Sequence, residues 1–148
     1  MNLKIKKLRP DAATPEYATP GAACFDIRAA FDGLSKQPNP SEPATIGTGL
    51  AFEVPADHVM LVFSRSGHAF NNSARLANCV GVIDSDYRGE LLVKIARDSW
   101  KTAPLTIRNG DRIAQAMVIP VQQVSFEEVD ELSTTERGAA GFGSTGVL

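Results

Sequence analysis

The sequence predicts an all-β fold, a jelly-roll-like barrel or sandwich of short strands with one short helix. Three observations support this prediction. Short apolar segments with a period of two recur along the chain, glycine- and proline-rich turn signals separate them, and only residues 67–74 suit a helix. At 148 residues the chain has the length of a single domain. We expect this domain to span residues 1–135, followed by a flexible glycine-rich tail at residues 136–148.

The composition is that of an ordinary globular protein and argues against several classes of function. A net charge of -2 at pH 7 provides no basic face for nucleic acid. No apolar run has membrane-spanning length, and the N-terminus lacks a signal-peptide core. Cys24 and Cys79 are too few for a disulfide framework or a cysteine-rich zinc site. We therefore expect two buried thiols in a reduced, cytoplasmic setting.

The first third of the chain predicts two strands and two loops. Residues 3–6 alternate apolar and basic side chains and predict the first strand. In residues 21–30, small residues allow close backbone approach, and apolar positions alternate with Asp26 and Arg28. These two charged side chains either pair with each other in solvent or belong to a site. Residues 31–43 contain several prolines and a glycine and predict a surface loop.

Two β-rich runs, residues 46–54 and 58–63, precede a stretch that suits a phosphate. Arg65 is a forked donor, Ser66 provides a hydroxyl and Gly67 an unobstructed amide. The alternative is an ordinary junction between a strand and the predicted helix.

The middle of the chain predicts a β-hairpin. An apolar run at residues 79–83 leads into a polar turn at residues 84–86, and residues 87–95 then alternate with a period of two. Asp84 would lie at the mouth of this hairpin beside the ring of Tyr87. The polar residues of this turn either only stabilise it through local hydrogen bonds or belong to a small-ligand pocket. In such a pocket Asp84 would be the general base and Tyr87 would form a wall.

Asn109 and Gly110 are a strong signal for a two-residue hairpin turn. The strand that follows, residues 112–119, is nearly continuous in apolar residues and contains Gln115 within it. If it is buried, this amide needs hydrogen-bond partners. It either makes a core hydrogen bond or contacts a ligand.

The glycine-rich tail cannot bury enough surface to offset its ordering entropy, so we expect it to be mobile when unbound. It nevertheless contains a guanidinium, a ring, two hydroxyls and bare glycine amides, in Arg137, Phe142, Gly143, Ser144 and Thr145. That set suits closure over a base and its phosphates. The alternative is a disordered tail without function.

Taken in order between Ala22 and Gly146, these stretches resemble the five motifs of the trimeric dUTP pyrophosphatase (dUTPase) family. The most specific are GVIDSDYRG, RIAQ and RGAAGFGSTG. Three positions depart from the family pattern: Cys24 and Ala140 replace glycines, and Ser64 replaces a proline. None of the three departures removes a group that does chemistry.

The resemblance implies hydrolysis of dUTP to dUMP and pyrophosphate by a homotrimer with shared active sites. Asp84 would be the general base that directs water to the α-phosphorus, and Asp26 would contact Mg²⁺ through water. The implied phosphate contacts are Arg65, Ser66, Gly67, Gln115, Arg137, Ser144 and Thr145, and Gly143 is a further implied substrate contact. The implied base and sugar contacts are Asn78, Gly81, Val82, Ile83, Tyr87 and Phe142.

Two rival functions remain open at this level. A dCTP deaminase would share the fold, but its relatives carry a catalytic glutamate where this chain has Lys94, and a residue other than tyrosine at position 87. A nucleotide-responsive trimeric binding protein would need no catalysis. Residues 31–43 would be the place for its partner contacts.

Overall fold

The computed structural model of the chain describes residues 1–141, which form two antiparallel β-sheets and one short helix. The helix, α1 (Ser66–Asn72), lies between the fifth and sixth strands. In chain order the strands are β1 (Lys4–Lys7), β2 (Glu16–Tyr17), β3 (Phe25–Arg28), β4 (Ala44–Glu53), β5 (His58–Phe63), β6 (Ala74–Leu76), β7 (Val80–Ile83), β8 (Glu90–Arg97) and β9 (Arg112–Pro120).

The strands alternate between the two sheets along much of the chain. Sheet A has the strand order β1-β4-β8-β6, and sheet B has the order β2-β3-β9-β5-β7. From β4 to β9, every connection therefore takes the chain from one sheet to the other. This arrangement confirms the predicted all-β, jelly-roll-like fold.

The core lies between the sheets and consists mainly of aliphatic side chains. In β8, Leu91, Val93 and Ile95 are buried whereas Leu92 and Lys94 are exposed, as the period of two predicts. Burial of one such aliphatic side chain contributes about 1.5–3 kcal/mol relative to leaving it exposed. The largest fully buried apolar side chains include Ile27, Ile46, Leu50, Met60, Ile95, Ile107 and Ile113.

The hairpin predicted around Asp84 is wrong. β7 pairs with β5, and β8 pairs with β4 and β6, so the turn at Asp84 joins two sheets instead of two paired strands. The reason is that an alternating strand shows the same period whether its partner is adjacent in sequence or distant.

The Asn109-Gly110 signal also marks a turn but not a hairpin. Asp111 closes the turn by donating its N–H to the carbonyl of Arg108, at 3.1 Å. The preceding residue, Ile107, forms its β-bridge with Lys36 of the proline-rich loop instead of β9. The proline-rich loop is thus held to the rest of the domain by two backbone hydrogen bonds, in which Lys36 and Ile107 each donate to the other's carbonyl.

A β-bulge interrupts the pairing of β4 with β8, between Gly47 and Ala51. Inside the bulge, Thr48 is fully buried and donates its hydroxyl to a carbonyl of β8 at 2.7 Å. Gly49 has a φ of 63°, and a Cβ there would lie 2.9 Å from the Cβ of Ala12. Glycine is therefore required at this position for both backbone and steric reasons.

The helix α1 begins and ends within two residues of its predicted bounds. It ends at Ser73, which has a left-handed φ of 49°. Below it, the buried guanidinium of Arg97 donates to the carbonyls of Asn72 and Thr102. At seven residues α1 is too short to traverse a bilayer, and residues 1–141 contain no helix that would.

After β9, residues 121–141 lie on the surface and contain no strand or helix. Their apolar side chains are exposed in the described part of the chain. Phe126 is 96% exposed and Leu132 is 86% exposed. We call this segment the C-terminal arm.

We expect Gly49→Ala to lower the free energy of unfolding by about 2–4 kcal/mol, because it adds left-handed strain to a steric overlap. Urea unfolding at fixed protein concentration measures the change. Gly21→Ala is the matched control, because a Cβ at Gly21 meets no atom within 4 Å. Equal stability of the two variants would show that the bulge tolerates a side chain.

Candidate active site

Asp84 lies in an exposed turn that joins β7 to β8. The N–H of Tyr87 donates to the Asp84 carbonyl at 3.2 Å. The guanidinium of Arg88 donates to the carbonyls of Ser85, at 2.7 Å, and Tyr87, at 3.0 Å. The backbone of the turn is therefore held by its own hydrogen bonds. The carboxylate of Asp84 is exposed, which a base that acts on water requires.

The ring of Tyr87 is anchored at its hydroxyl end. Its hydroxyl donates to the carbonyl of Glu90 at 3.0 Å. A Cβ at Gly89 would overlap this hydroxyl, so glycine lets the ring lie against the backbone. The residue remains 45% exposed, and its backbone belongs to the Asp84 turn.

A cleft of about 430 Å³ opens between β7 and β8, on the N-terminal side of the Asp84 turn. It contains all four of the residues predicted to recognise a base, namely Asn78, Gly81, Val82 and Ile83. β7 is the edge strand of sheet B, so its outer backbone groups have no strand partner within residues 1–141. The remaining lining residues are Val62, Leu76, Ala77, Leu91, Leu92, Val93 and Lys94.

The carboxylate of Asp26 is the centre of a second cluster. The residue is only 7% exposed, and each of its carboxylate oxygens accepts a bond from a different guanidinium. Arg65 Nε donates to Oδ1 at 3.2 Å, and Arg112 Nη1 donates to Oδ2 at 3.1 Å. The alternative that Asp26 pairs with Arg28 is wrong, because Arg28 instead pairs with Glu16 at 2.9 Å.

The other residues of the predicted phosphate site surround this cluster. Ser66 and Gly67 form the exposed first turn of α1, where backbone N–H groups have no partner within the helix. Gln115 pairs with Asp26 across sheet B and donates its Nε2 to the carbonyl of Ser64 at 3.1 Å. This bond is the core contact anticipated from the sequence. It uses one of two amide protons, so a ligand contact remains open.

Arg112 is a member of the cluster that sequence reasoning missed. Besides binding Asp26, it accepts at its carbonyl a bond from His68 Nε2 at 2.8 Å and one from Arg65 Nη1 at 3.4 Å. The sequence indicates this role only by a charged residue at the start of a strand that is otherwise mainly apolar. Its partner Asp26 is 86 positions away in sequence, and local patterns contain no information on that contact.

The chemistry of the donor set fits a Mg²⁺ ion held through water. Within residues 1–141, no three histidine, cysteine or acidic side chains form a group that would hold a metal directly. Both oxygens of Asp26 already accept guanidinium bonds, but each retains a lone pair for a water molecule. Mg²⁺ keeps several waters readily, so one such outer contact is compatible with binding.

The two cysteines differ in environment. Burial raises the pKa of the Cys24 thiol above its usual range, which lowers its thiolate fraction at neutral pH. Cys79 is exposed, so the expectation that both thiols are buried is wrong for this residue. Its φ of 64° places it at a sharp bend directly after Asn78.

Only part of the predicted tail site lies within the described residues. Arg137 is exposed and donates its Nε to the carbonyl of Ala140 at 3.1 Å. It contacts neither of the two clusters described above. Phe142, Gly143, Ser144 and Thr145 lie outside the described residues, and their predicted roles stay predictions.

The two clusters are far apart within one chain. Asp26, Gln115, Phe63 and Val80 lie in one row across sheet B, and Asp84 follows four residues after Val80. Three strand spacings of about 4.8 Å and four residues of about 3.3 Å place Asp84 on the order of 20 Å from Asp26. The predicted residues therefore form two half-sites, one with Asp84 and one with Asp26.

Comparison with known proteins gives consistent results. The dUTPase family model matches residues 11–146. The deoxyuridine 5'-triphosphate nucleotidohydrolase of Nautilia profundicola is 47% identical over 146 residues, which cover 99% of both chains. That of Helicobacter hepaticus is 46% identical and covers 99% of this chain and 90% of its own. The Staphylococcus bacteriophage 80alpha dUTPase with dUpNHpp superimposes with a TM-score of 0.83 at 28% identity, covering 99% of each chain.

We expect Asp26→Asn to lower the free energy of unfolding by about 1–3 kcal/mol, because a neutral amide cannot accept both charge-assisted bonds. Urea unfolding without Mg²⁺ or nucleotide isolates this structural contribution from any role in ligand binding. Asp32→Asn is the control, since its side chain is 93% exposed. A stability of Asp26→Asn equal to that of the control would contradict the structural role.

Proposed function

The chain belongs to the dUTPase family, and on this premise we propose that it hydrolyses dUTP to dUMP and pyrophosphate. The observation that carries the proposal is the cleft beside β7, with the exposed carboxylate of Asp84 directly after its lining residue Ile83. The cleft wall formed by β7 suits a flat nucleobase. The Asp84 carboxylate, which can activate water as a general base, lies at the end of this wall.

Backbone groups of β7 recognise the uracil. Uracil presents an acceptor, a donor and a second acceptor in a row, and the outer backbone groups of residues 81–83 with the amide of Asn78 can match all three. Cytosine presents a donor where uracil has its first acceptor, which leaves buried groups unpaired and is costly. Backbone recognition also leaves little space for the methyl group of thymine.

Tyr87 selects the sugar. Its hydroxyl donates to the carbonyl of Glu90, and its ring lies against the backbone of Gly89. A deoxyribose packs against such a ring, whereas the 2′-hydroxyl of a ribose would overlap it. The discrimination therefore depends on keeping the ring in place.

Asp84 orients a water molecule and accepts its proton during attack on the α-phosphorus. A carboxylate within hydrogen-bond reach of the attacking water is a group that can accept its proton. Phosphoryl transfer needs mainly positioning and charge neutralisation. A rigid turn with an exposed carboxylate supplies the positioning.

The Asp26 half-site holds the phosphates. Arg65 supplies a guanidinium, while Ser66 and Gly67 supply a hydroxyl and the first amides of α1. Gln115 contributes its second amide proton. When bound, Mg²⁺ supplies positive charge that offsets the charge of the triphosphate, and Asp26 would hold it through water.

The active enzyme is a homotrimer with shared sites. A base that acts through one water must lie within hydrogen-bond reach, so a gap on the order of 20 Å cannot be bridged within one chain. A symmetric oligomer solves this by bringing the Asp84 half-site of one copy to the Asp26 half-site of another. The exposed apolar side chains of the C-terminal arm also favour contact with a second copy.

The tail, residues 136–148, closes over the bound nucleotide. Phe142 stacks on the uracil, and Arg137, Gly143, Ser144 and Thr145 contact the outer phosphates. Closure excludes water other than the attacking molecule and raises the strength of every charge interaction inside. Neither rival function gains support from the relatives, which are named as nucleotidohydrolases.

We expect the purified protein with Mg²⁺ to release pyrophosphate from dUTP far faster than from dCTP, dTTP or UTP. Pyrophosphate and ammonia are measured in parallel across the four nucleotides. Ammonia release from dCTP would establish the deaminase instead.

Asp84→Asn should retain dUTP binding but lose activity by about 10²–10⁴-fold, the usual contribution of a general base. Unchanged turnover by Asp84→Asn would remove the role assigned to Asp84.

We expect an equal mixture of Asp84→Asn and Arg65→Ala chains, refolded together, to regain activity that neither variant has alone. If each site combines half-sites from different copies, random assembly gives about one quarter of sites with both residues intact. Activity is compared with each variant refolded separately and with wild type treated in the same way. A mixture as inactive as its parents would place the complete site within one chain.

A further inference from the structure

Packing holds Tyr87 only in part, because the residue is 45% exposed and only the end of its ring lies against Gly89. Within the described residues its one side-chain hydrogen bond goes to the backbone carbonyl of Glu90, at 3.0 Å. The position of that carbonyl therefore decides where the ring lies. The carbonyl belongs to the first residue of β8, so its position depends on how the start of β8 is held.

The side chain of Glu90 is anchored in the bulge of the neighbouring strand β4. Its Oε1 accepts the N–H of Gly49 at 2.8 Å and that of Thr48 at 3.1 Å. Both bonds are charge-assisted, which makes them stronger than bonds between neutral groups. The bulge turns these two amides away from the regular β4–β8 ladder, so a side chain is needed to satisfy them.

The bulge that receives Glu90 is itself rigid. Thr48 is fully buried, and its hydroxyl donates to the carbonyl of Leu91, the residue after Glu90, at 2.7 Å. The carbonyl of Gly49 accepts the N–H of Leu8 at 2.8 Å, and that of Gly47 accepts the N–H of Ala30 at 2.9 Å. Bonds from three separate parts of the chain thus fix the acceptor site of the glutamate.

We propose that Glu90 is a positioning residue for sugar discrimination, acting on Tyr87 through the first peptide of β8. This inference rests on the proposed function. It assigns a part in sugar selection to Glu90, a residue that does not contact the substrate. Loss of the carboxylate frees the start of β8 from the bulge and lets the Glu90 carbonyl shift. The Tyr87 ring then moves with its hydrogen-bond acceptor and opens space for a 2′-hydroxyl.

The test is the ratio of kcat/KM for dUTP to kcat/KM for UTP. We expect Glu90→Ala to lower this ratio about tenfold, the usual consequence of losing one strong hydrogen bond. Glu90→Gln should stay within about threefold of wild type, because its amide oxygen still accepts both N–H groups. Glu53→Ala is the matched control, a strand glutamate with an exposed Lys4 ion pair, and should leave the ratio unchanged.

A double-mutant cycle with Tyr87→Phe tests the route of the effect. Removal of the hydroxyl breaks the bond to the Glu90 carbonyl, so adding Glu90→Ala to Tyr87→Phe should change the ratio less than Glu90→Ala does alone. If Glu90→Ala does not fold, Glu90→Asp replaces it, because its carboxylate is one methylene too short to reach the bulge. Full additivity in the cycle would exclude action through Tyr87.

A ratio equal to wild type in Glu90→Ala would overturn the proposal, even if both activities fell. That result would leave Glu90 as a residue of stability only. Failure of the proposed function looks different, since wild-type protein would then release no pyrophosphate from dUTP. The two failures are therefore distinguishable in one set of assays.

Discussion

The register of sheet B imposes the constraint on which the rest of the site depends. β9 pairs with β3 on one side and β5 on the other, and this aligns Asp26, Gln115 and Phe63 in a single row. Asp84 comes after the far end of the edge strand β7. Since a one-residue slip would turn buried side chains outward, the register is fixed by the core itself. The separation of the two half-sites is thus a property of the folded domain, and it supports the proposal of a site shared between copies.

The fold class was predictable because it depends on local pattern, whereas the pairing of strands was not. The alternation of Leu91, Val93 and Ile95 identified β8 and its buried face correctly. The same alternation gave no information on the partner strand, so the turn at Asp84 was assigned to a hairpin. In a fold where consecutive strands lie in different sheets, polar turns connect layers, and proximity in sequence does not imply pairing.

The site was predictable only to the extent that its residues form contiguous motifs. Asn78, Gly81 and Ile83 are close in sequence, and the cleft contains all of them. Arg112 begins the RIAQ motif and Glu90 directly follows the GVIDSDYRG motif, but their roles arise from partners far away in the chain. Arg112 meets Asp26 across sheet B, and Glu90 meets Gly49 in the bulge of β4. Residues that hold other residues in place become visible only when long-range contacts are known.

The groups proposed to do chemistry are exposed, and each hydrogen bond that holds them has a backbone atom as one partner. Asp84 and Tyr87 face solvent, so the hydrophobic core contributes little to their placement. Their geometry comes from hydrogen bonds within the turn and from the attachment of β8 to the bulge. A rigid turn costs little to reorganise when substrate binds, and preorganisation is what catalysis by positioning requires. The bulge in β4 therefore belongs to the functional design of the domain as much as to its stability.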